Sequence, residues 1–481
     1  MNIHKKDINN KTIKPILSKS QQEYNKVISN RHIQMIAMGG AIGSGLFLGS
    51  SIRLKIMGPS LIIIYAICGF FCYLIMRALG ELISYRPSSG SFISYSREFL
   101  GKYAEYLSGW MYFINWIMTG IVDLMAISLY MHKWQCFQHI SKLVFALLTL
   151  CIVCIINVIG VKYFAEIEFW LSFIKVFTII IFIIIGVTVL FSYYIFDYNI
   201  TNIPINIQQN FLNNHGEYII LPYGLWQTIL LTQGVIFSFA SIELVGVAAG
   251  ECKNPHKILP KVINGVIWRI MLFYIGSITL LILLLPLEQY KGFISPFITV
   301  LQKIRIPHIS SIMNIVIISA ALSSLNSGLY SIGRILRTMA IGNVAPKIFT
   351  KMNKYNIPYV SIITTVSIYL IGIYISYLLT NNIFSIILNT ASLGVIFSWL
   401  FILFCQIKLR KAINQGIIPE VRYKMPGTPF TSWLTVIFLI CILITIACNY
   451  PSGTYSISLI PLIMLLLYLG WLKVKKKNNN I

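Results

Sequence analysis

The sequence predicts an all-α polytopic membrane protein of twelve transmembrane helices, ten of them forming two inverted repeats of five. Three observations predict it. The 481 residues are 57% hydrophobic and only 11% charged, against about 25% charged in soluble domains. The apolar runs match the roughly 20 residues a helix needs to cross the hydrocarbon core. Two of those runs, the first and the sixth, are interrupted by small residues in the same way.

The first run, 33–51, carries Gly39, Gly40, Gly43, Gly45 and Gly49 in "GGAIGSGLFLGSS". Each interior Gly costs a helix about 1 kcal/mol relative to Ala, so this span is expected to break. Uninterrupted spans are expected at 59–80, 108–131, 143–160 and 169–192, and a polar connection then runs over 192–223. The sixth run, 229–249, is interrupted within "FSFASIELVGVAAG", and further spans follow at 264–286, 309–331, 357–379 and 383–406. The last two, 432–450 and 456–472, lie outside the repeat pattern. The expected organisation is a cytoplasmic tail (1–32), a transmembrane domain (33–472) and a cytoplasmic tail (473–481). The two repeats within that domain are 33–192 and 229–406. Two broken helices heading halves of opposite orientation are the hydropathy sign of an inverted repeat with a substrate site near the bilayer midplane.

The formal charge of +24 reflects location rather than a nucleic-acid partner. Of 38 Lys and Arg, the outer connections hold only Arg53, Lys55, Lys133, Lys142, Lys291, Lys303 and Arg305. Arg77, Lys175 and Arg269 fall within spans, and the rest lie on the inner side. This asymmetry places both termini in the cytoplasm. The nine cysteines mostly sit in apolar runs as small hydrophobes, and no metal site is expected. The first thirty residues lack the apolar core of a signal peptide, so the first helix is expected to be retained. Walker loops, His-Glu-x-x-His helices and Gly-x-Ser-x-Gly elbows are missing. The expectation is a transporter rather than an enzyme, without cofactor, driven by an ion gradient.

Unwound backbone is tolerated at membrane depth only where it is buried in protein or lines a cavity. If Ile42, Gly43, Ser44 and Gly45 leave helical geometry, their N–H groups and the half-helix dipole suit a carboxylate. The alternative is a close helix crossing, since Gly39 and Gly43 have Gly-xxx-Gly spacing. Carbonyls around Ser238 to Ile242 would accept from an ammonium group, so the paired breaks describe a receptor for a free amino acid.

Ionisable residues inside spans are costly and functional by default. Lys175 either snorkels to the interface or exchanges a proton as the cavity alternates. Glu243 is either a substrate or proton ligand or a cap for loosened backbone. Asp123 lines the pore or joins an interhelical contact. Asn115 and Thr119 on the third helix, and Ser324 and Asn326 within "SSLNSG" on the eighth, either line the cavity or act as hydrogen-bonding glue.

Five passages then resemble the bacterial amino acid transporter family of the amino acid, polyamine and organocation superfamily. They are "RHIQMIAMGGAIGSGLFLGS", "GELISYRPSSGSFISYSREFLG", "FAEIEFWLSFIKVFTI", "FSFASIELVGVAAGECKNP" and "LNSGLYSIGRILRTMAIGNVAPK". The resemblance runs through nearly the whole chain. It implies a leucine-transporter-like fold, proton symport and a place in the inner membrane. It also implies carboxylate binding at Ile42, Gly43, Ser44 and Gly45, and amino-group binding at Phe237, Ser238 and Ser241. Lys175 matches the fifth-helix lysine that stands in for a sodium ion in proton-coupled relatives. Within the family, "SLYMHKW", "LNTASLGVIFSWLFI" and "PGTPFTSWLT" are most similar to members that carry L-asparagine, which is the expected substrate. Lysine, γ-aminobutyrate or proline are the alternatives, and a non-transporting sensor the remote one.

Overall fold

The apolar runs fold as helices in the computed structural model, which describes residues 24, 26–47, 49–196, 221–290, 294–378 and 383–479. Most of the expected N-terminal tail, most of the 192–223 connection and the last two residues lie outside the described residues. Among the described residues there is no strand, only one isolated bridge between Ile28 and Cys252.

The first half consists of α1 (Asn30–Ala41), α2 (Ser44–Phe47), α3 (Ser50–Met57), α4 (Ser60–Tyr85), α5 (Ser91–Leu100), α6 (Lys102–Met131), α7 (Lys142–Ile159) and α8 (Val161–Phe196). The second consists of α9 (Gly224–Ser238), α10 (Leu244–Ala248), α11 (Pro255–Leu284), α12 (Pro296–Lys303), α13 (Ile309–Ile341), α14 (Tyr359–Leu378) and α15 (Ile383–Asn414). Helices α16 (Phe430–Cys448) and α17 (Ser452–Asn479) complete the chain. Each half gives a broken helix, a long helix, a short helix, then three long helices. Five crossings is an odd number, so the second half starts on the opposite side from the first and the repeat is inverted.

Ten of these helices are individually long and apolar enough to cross a membrane. The other two expected spans are the two that the sequence marks as broken. The first is a pair, Asn30–Phe47 and Ser50–Met57, bent by 64°. The sixth is divided into pieces of 15 and 5 residues.

Hydropathy places several ends short. The expected 169–192 is Val161–Phe196, and 309–331 is Ile309–Ile341. The extra turns carry Glu168 and Arg334, which lower local hydropathy but are buried against partners inside the bundle. At 36 residues, α8 is about 54 Å long, well beyond the roughly 30 Å core. A second correction concerns Arg53, expected in an outer loop. The bend folds α3 back against the bundle, and Arg53 is 6% exposed.

The most apolar windows of α6 and α15 are 78% and 72% buried, while that of α17 is 0% buried, so α6 and α15 form the centre and α17 the lipid-facing edge. Small residues bring the central helices together. A methyl group at Gly328 on α13 would lie 2.6 Å from Trp116, and one at Gly394 on α15 would lie 2.6 Å from Asn115.

Candidate functional site

The two breaks face each other. Helix α1 ends at Ile42, whose φ of −84° and ψ of 83° leave the helical region, and α2 restarts at Ser44. The break is therefore narrower than the expected 42–45, because Ser44 and Gly45 already lie in the next turn. The first N–H groups of any helix lack intrahelical partners, so those at the start of α2 are directed into the gap. Across it, α9 ends at Ser238 and a turn carries the chain to Glu243. Ser241 adopts a φ of +73°, a left-handed conformation that disfavours a side chain. A methyl group added at Gly45 would lie 3.2 Å from the Ser238 Cα, and one at Gly40 would lie 3.2 Å from the Ser241 carbonyl oxygen.

Between the breaks is a chamber of about 20 Å³, lined by Gly40, Gly43, Gly45, Thr119, Phe237, Ser238, Ala240, Ser241 and Ser324. That volume holds about one water molecule. Gly45 and Phe237 also border a vestibule of about 660 Å³, within the range of small-molecule sites. Its lining includes Ser128 and Leu129 near the end of α6 and Lys142 and Leu143 at the start of α7.

The chamber distinguishes the glycines. A methyl group at Gly39 would fall 1.8 Å from Ser172 Oγ and 3.1 Å from its Cα, whereas one at Gly43 would meet nothing within 4 Å. Gly39 is a close-packing residue against α8, and Gly43 faces the chamber. Gly39→Ala is expected to lower folded yield and melting temperature in detergent. Gly43→Val is expected to retain both and to reduce uptake at least tenfold; normal uptake would assign Gly43 to packing instead.

Behind the first break lies a buried polar network. Lys175 is 0% exposed, and its Nζ donates to the Gly39 carbonyl and to Ser323 Oγ (2.9 Å). Ser323 Oγ donates in turn to Glu168 Oε1. Glu168 also accepts from Ser172 (3.2 Å) and from Asn326 Nδ2 (3.1 Å), while Asn157 Nδ2 donates to Asn326 Oδ1 (2.8 Å). Glu168 and Asp123 are the acidic side chains near the lysine. Lys175 therefore points into the bundle and does not snorkel.

The opposite side is closed. Arg334 Nε and Glu251 Oε1 are 2.8 Å apart with side chains 1% and 0% exposed. The Arg334 guanidinium lies 3.8 Å above the Tyr330 ring, which stacks on Phe164 at 4.0 Å. The segment around Ile28 crosses beneath, its N–H donating to the Glu251 carbonyl (3.1 Å).

Of the residues singled out from sequence, the structure brings Gly43, Gly45, Phe237, Ser238, Ser241, Thr119 and Ser324 together around the chamber. Ile42 is buried in the apolar core, and the Ser44 side chain lies outside the described residues. Asn115 accepts from Thr119 (3.4 Å) and packs on Gly394. Asn326 turns to Glu168. Glu243 accepts from Trp399 Nε1 (3.1 Å), which anchors the turn between α9 and α10. Asp123 is fully buried and lines neither cavity. Ser238 is already engaged: its carbonyl accepts from Tyr274 Oη (2.5 Å), and its Oγ lies 3.3 Å from both Arg53 Nη2 and Tyr65 Oη.

Sequence reasoning missed Glu168 and Glu251. A signal for the first was present, because Glu168 and Lys175 are seven residues apart and so share a helix face. Starting the span at 169 concealed it.

The chain matches the model of a family described as amino acid permease over residues 32–481. It is 52% identical to an L-asparagine permease of Salmonella typhimurium over 461 residues, covering 96% of this chain and 91% of that protein. An L-asparagine permease of Escherichia coli gives the same identity and coverage. One from Streptomyces coelicolor is 44% identical, covering 94% of this chain and 91% of that one. Among solved structures, a mutant manganese transporter of Eremococcus coleocola superposes with a TM-score of 0.60 at 14% identity, covering 93% of this chain and 94% of that one. That likeness concerns the fold alone.

Proposed function

The chain belongs to the amino acid permease family, and from that premise we propose that it imports L-asparagine by proton symport with alternating access in the bacterial inner membrane. Membership makes it a multi-pass membrane protein of amino acid transport; the substrate, the coupling ion and the mechanism are the proposal. The observation that carries it is the small chamber enclosed by two facing helix breaks beside a much larger vestibule.

In this reading the substrate carboxylate takes the N–H groups at Gly43, Ser44 and Gly45, where the partial positive charge of a half-helix favours an anion. The ammonium group takes backbone oxygens at Phe237 and Ser241 and the remaining lone pair of the Ser238 carbonyl, on a turn that Glu243 anchors through Trp399. The chamber is too small for an amino acid, so Phe237 must move to join it to the vestibule. The vestibule is open on one side while the Arg334–Glu251 layer closes the other, as one half of an alternating-access cycle requires. Both termini then lie in the cytoplasm, which the distribution of Lys and Arg favours.

Proton coupling uses the Lys175, Ser323 and Glu168 chain. Ser323 accepts from the lysine and donates to the carboxylate, so it can pass a proton between them. Lys175 also holds the Gly39 carbonyl, one turn before the break. Its protonation therefore bears on the geometry of the carboxylate cradle, which links the ion to the substrate.

L-Asparagine rather than another amino acid is supported by the three relatives named above. The test is competition of labelled L-asparagine uptake into proteoliposomes by unlabelled amino acids. Unlabelled asparagine should compete best, and lysine, proline and γ-aminobutyrate weakly. Saturable uptake of lysine with none of asparagine would overturn the substrate assignment, and binding without accumulation would indicate a sensor.

A further inference from the structure

The vestibule wall holds polar groups that the backbone breaks leave unused. Its described lining contains Arg53 and Lys142 but no Asp or Glu. Arg53, 6% exposed, donates through Nη2 to the Gly45 carbonyl (2.5 Å) and to Ser238 Oγ (3.3 Å). Its Nε is buried without a hydrogen-bond partner among the described residues. Its Nη1 occupies the space beside Gly234, where an added methyl group would come within 2.5 Å of it. The preceding residue, Gln233, is also 6% exposed. Gln233 Nε2 donates to Asn389 Oδ1 (3.3 Å), and Asn389 Nδ2 donates to Ser452 Oγ (3.1 Å), an arrangement that commits the Gln233 NH₂ and leaves its carbonyl oxygen over. Gln233 Oε1 is buried with no hydrogen-bond partner among the described residues.

Buried polar atoms are nearly always hydrogen-bonded, and leaving one unpaired is costly. Among the described residues, a buried donor and a buried acceptor are thus both unpaired in the wall of one cavity, whose lining shares Gly45 and Phe237 with the chamber.

We propose that Arg53 and Gln233 form the side-chain subsite and read a carboxamide. The substrate amide NH₂ donates to Gln233 Oε1, and its carbonyl oxygen accepts from the Arg53 guanidinium. A carboxamide is the small neutral group that presents a donor and an acceptor together. A side-chain carboxylate would set an oxygen against Gln233 Oε1. An ammonium group would face the Arg53 cation with no acid in the described wall to offset it, and an apolar side chain would leave both partners unpaired. Rejection of analogues by unpaired polar groups is the stronger form of specificity. The inference rests on the chamber being the amino acid site.

The test uses the full-length protein in proteoliposomes, comparing KM for L-asparagine with inhibition constants for L-alanine and 2,4-diaminobutyrate. Gln233→Leu is expected to raise the asparagine KM at least tenfold while changing the alanine constant less than twofold. Gln233→Glu, nearly isosteric, provides a second variant should the first not fold. It is expected to weaken asparagine similarly and to strengthen inhibition by 2,4-diaminobutyrate at least fivefold. Asparagine and alanine constants that move together, or an asparagine KM within twofold of wild type in both folded variants, would overturn the subsite while leaving the transport assignment intact. A wild-type protein that carries no asparagine would instead overturn the assignment on which the subsite rests.

Discussion

Replacing Lys175 by alanine is expected to abolish accumulation of substrate driven by a pH gradient while leaving measurable substrate binding. The lysine is the cation of a fully buried network, donating to Gly39 and Ser323. Removing one partner of a buried charge pair typically costs about 3–5 kcal/mol, because the other charge is left uncompensated. Glu168 would lose the lysine to which the Ser323 hydroxyl links it, and the relay between them would be broken. In a one-to-one symporter each pH unit supports about a tenfold accumulation ratio, since ~1.4 kcal/mol is a factor of ten. The variant should equilibrate substrate to a ratio near one whatever the gradient. Glu168→Gln, which retains an acceptor for Ser323, should impair pH-driven accumulation while preserving more stability than Lys175→Ala. Labelled-substrate uptake with and without an imposed gradient, together with a binding assay in detergent, makes the comparison. Gradient-dependent accumulation that persists in Lys175→Ala would remove the lysine from the coupling scheme.

Glu251→Gln is expected to loosen the closed side of the molecule. The Arg334–Glu251 pair is buried at both ends, and the cation is further held above Tyr330 and near Tyr24. Neutralising the glutamate leaves Arg334 without its charged partner, at the same order of cost as above. If the pair seals one state of the cycle, the equilibrium should shift a hundredfold or more toward the state opened on that side. Cys252 reports on this directly, since it is fully buried and its neighbour Lys253 donates from its backbone N–H to the Ile28 carbonyl (3.4 Å). Its alkylation by a maleimide, followed at the Cys252 peptide, should accelerate strongly in Glu251→Gln while concentrative uptake falls. An unchanged rate at Cys252 would show that the pair does not control access from that side.

Much of the fold was legible because membrane insertion is decided locally. A run of Ile, Leu and Phe is apolar whatever surrounds it, and a cluster such as Gly39, Gly40, Gly43 and Gly45 weakens a helix by itself. Helix order, the two breaks and the inverted repeat followed from those local properties. What hydropathy concealed were the charged helix ends. Glu168 and Arg334 look like surface residues by composition, yet each is buried on a partner from another helix.

The candidate site was legible only in part. Ser324 and Asn326 are two positions apart on one helix; the first lines the chamber and the second binds Glu168. Neither phase can be obtained from spacing alone, because the rotation of a helix is set by what packs against it. Likewise the glycines of the first break look equivalent in sequence. Only the approach of α8 makes Gly39 a packing residue and leaves Gly43 facing the chamber.

The sequence by itself determined the membrane class, the order of the spans and the two breaks, each of which follows from the transfer energetics or propensity of nearby residues. Tertiary structure alone decided which polar groups meet. Lys175 reaches the Gly39 carbonyl across 136 residues of chain, and Arg53 reaches Ser238 across 185. Such pairings are stable because the bundle removes competing water from both partners, and that depends on helices far apart in the chain being folded against one another.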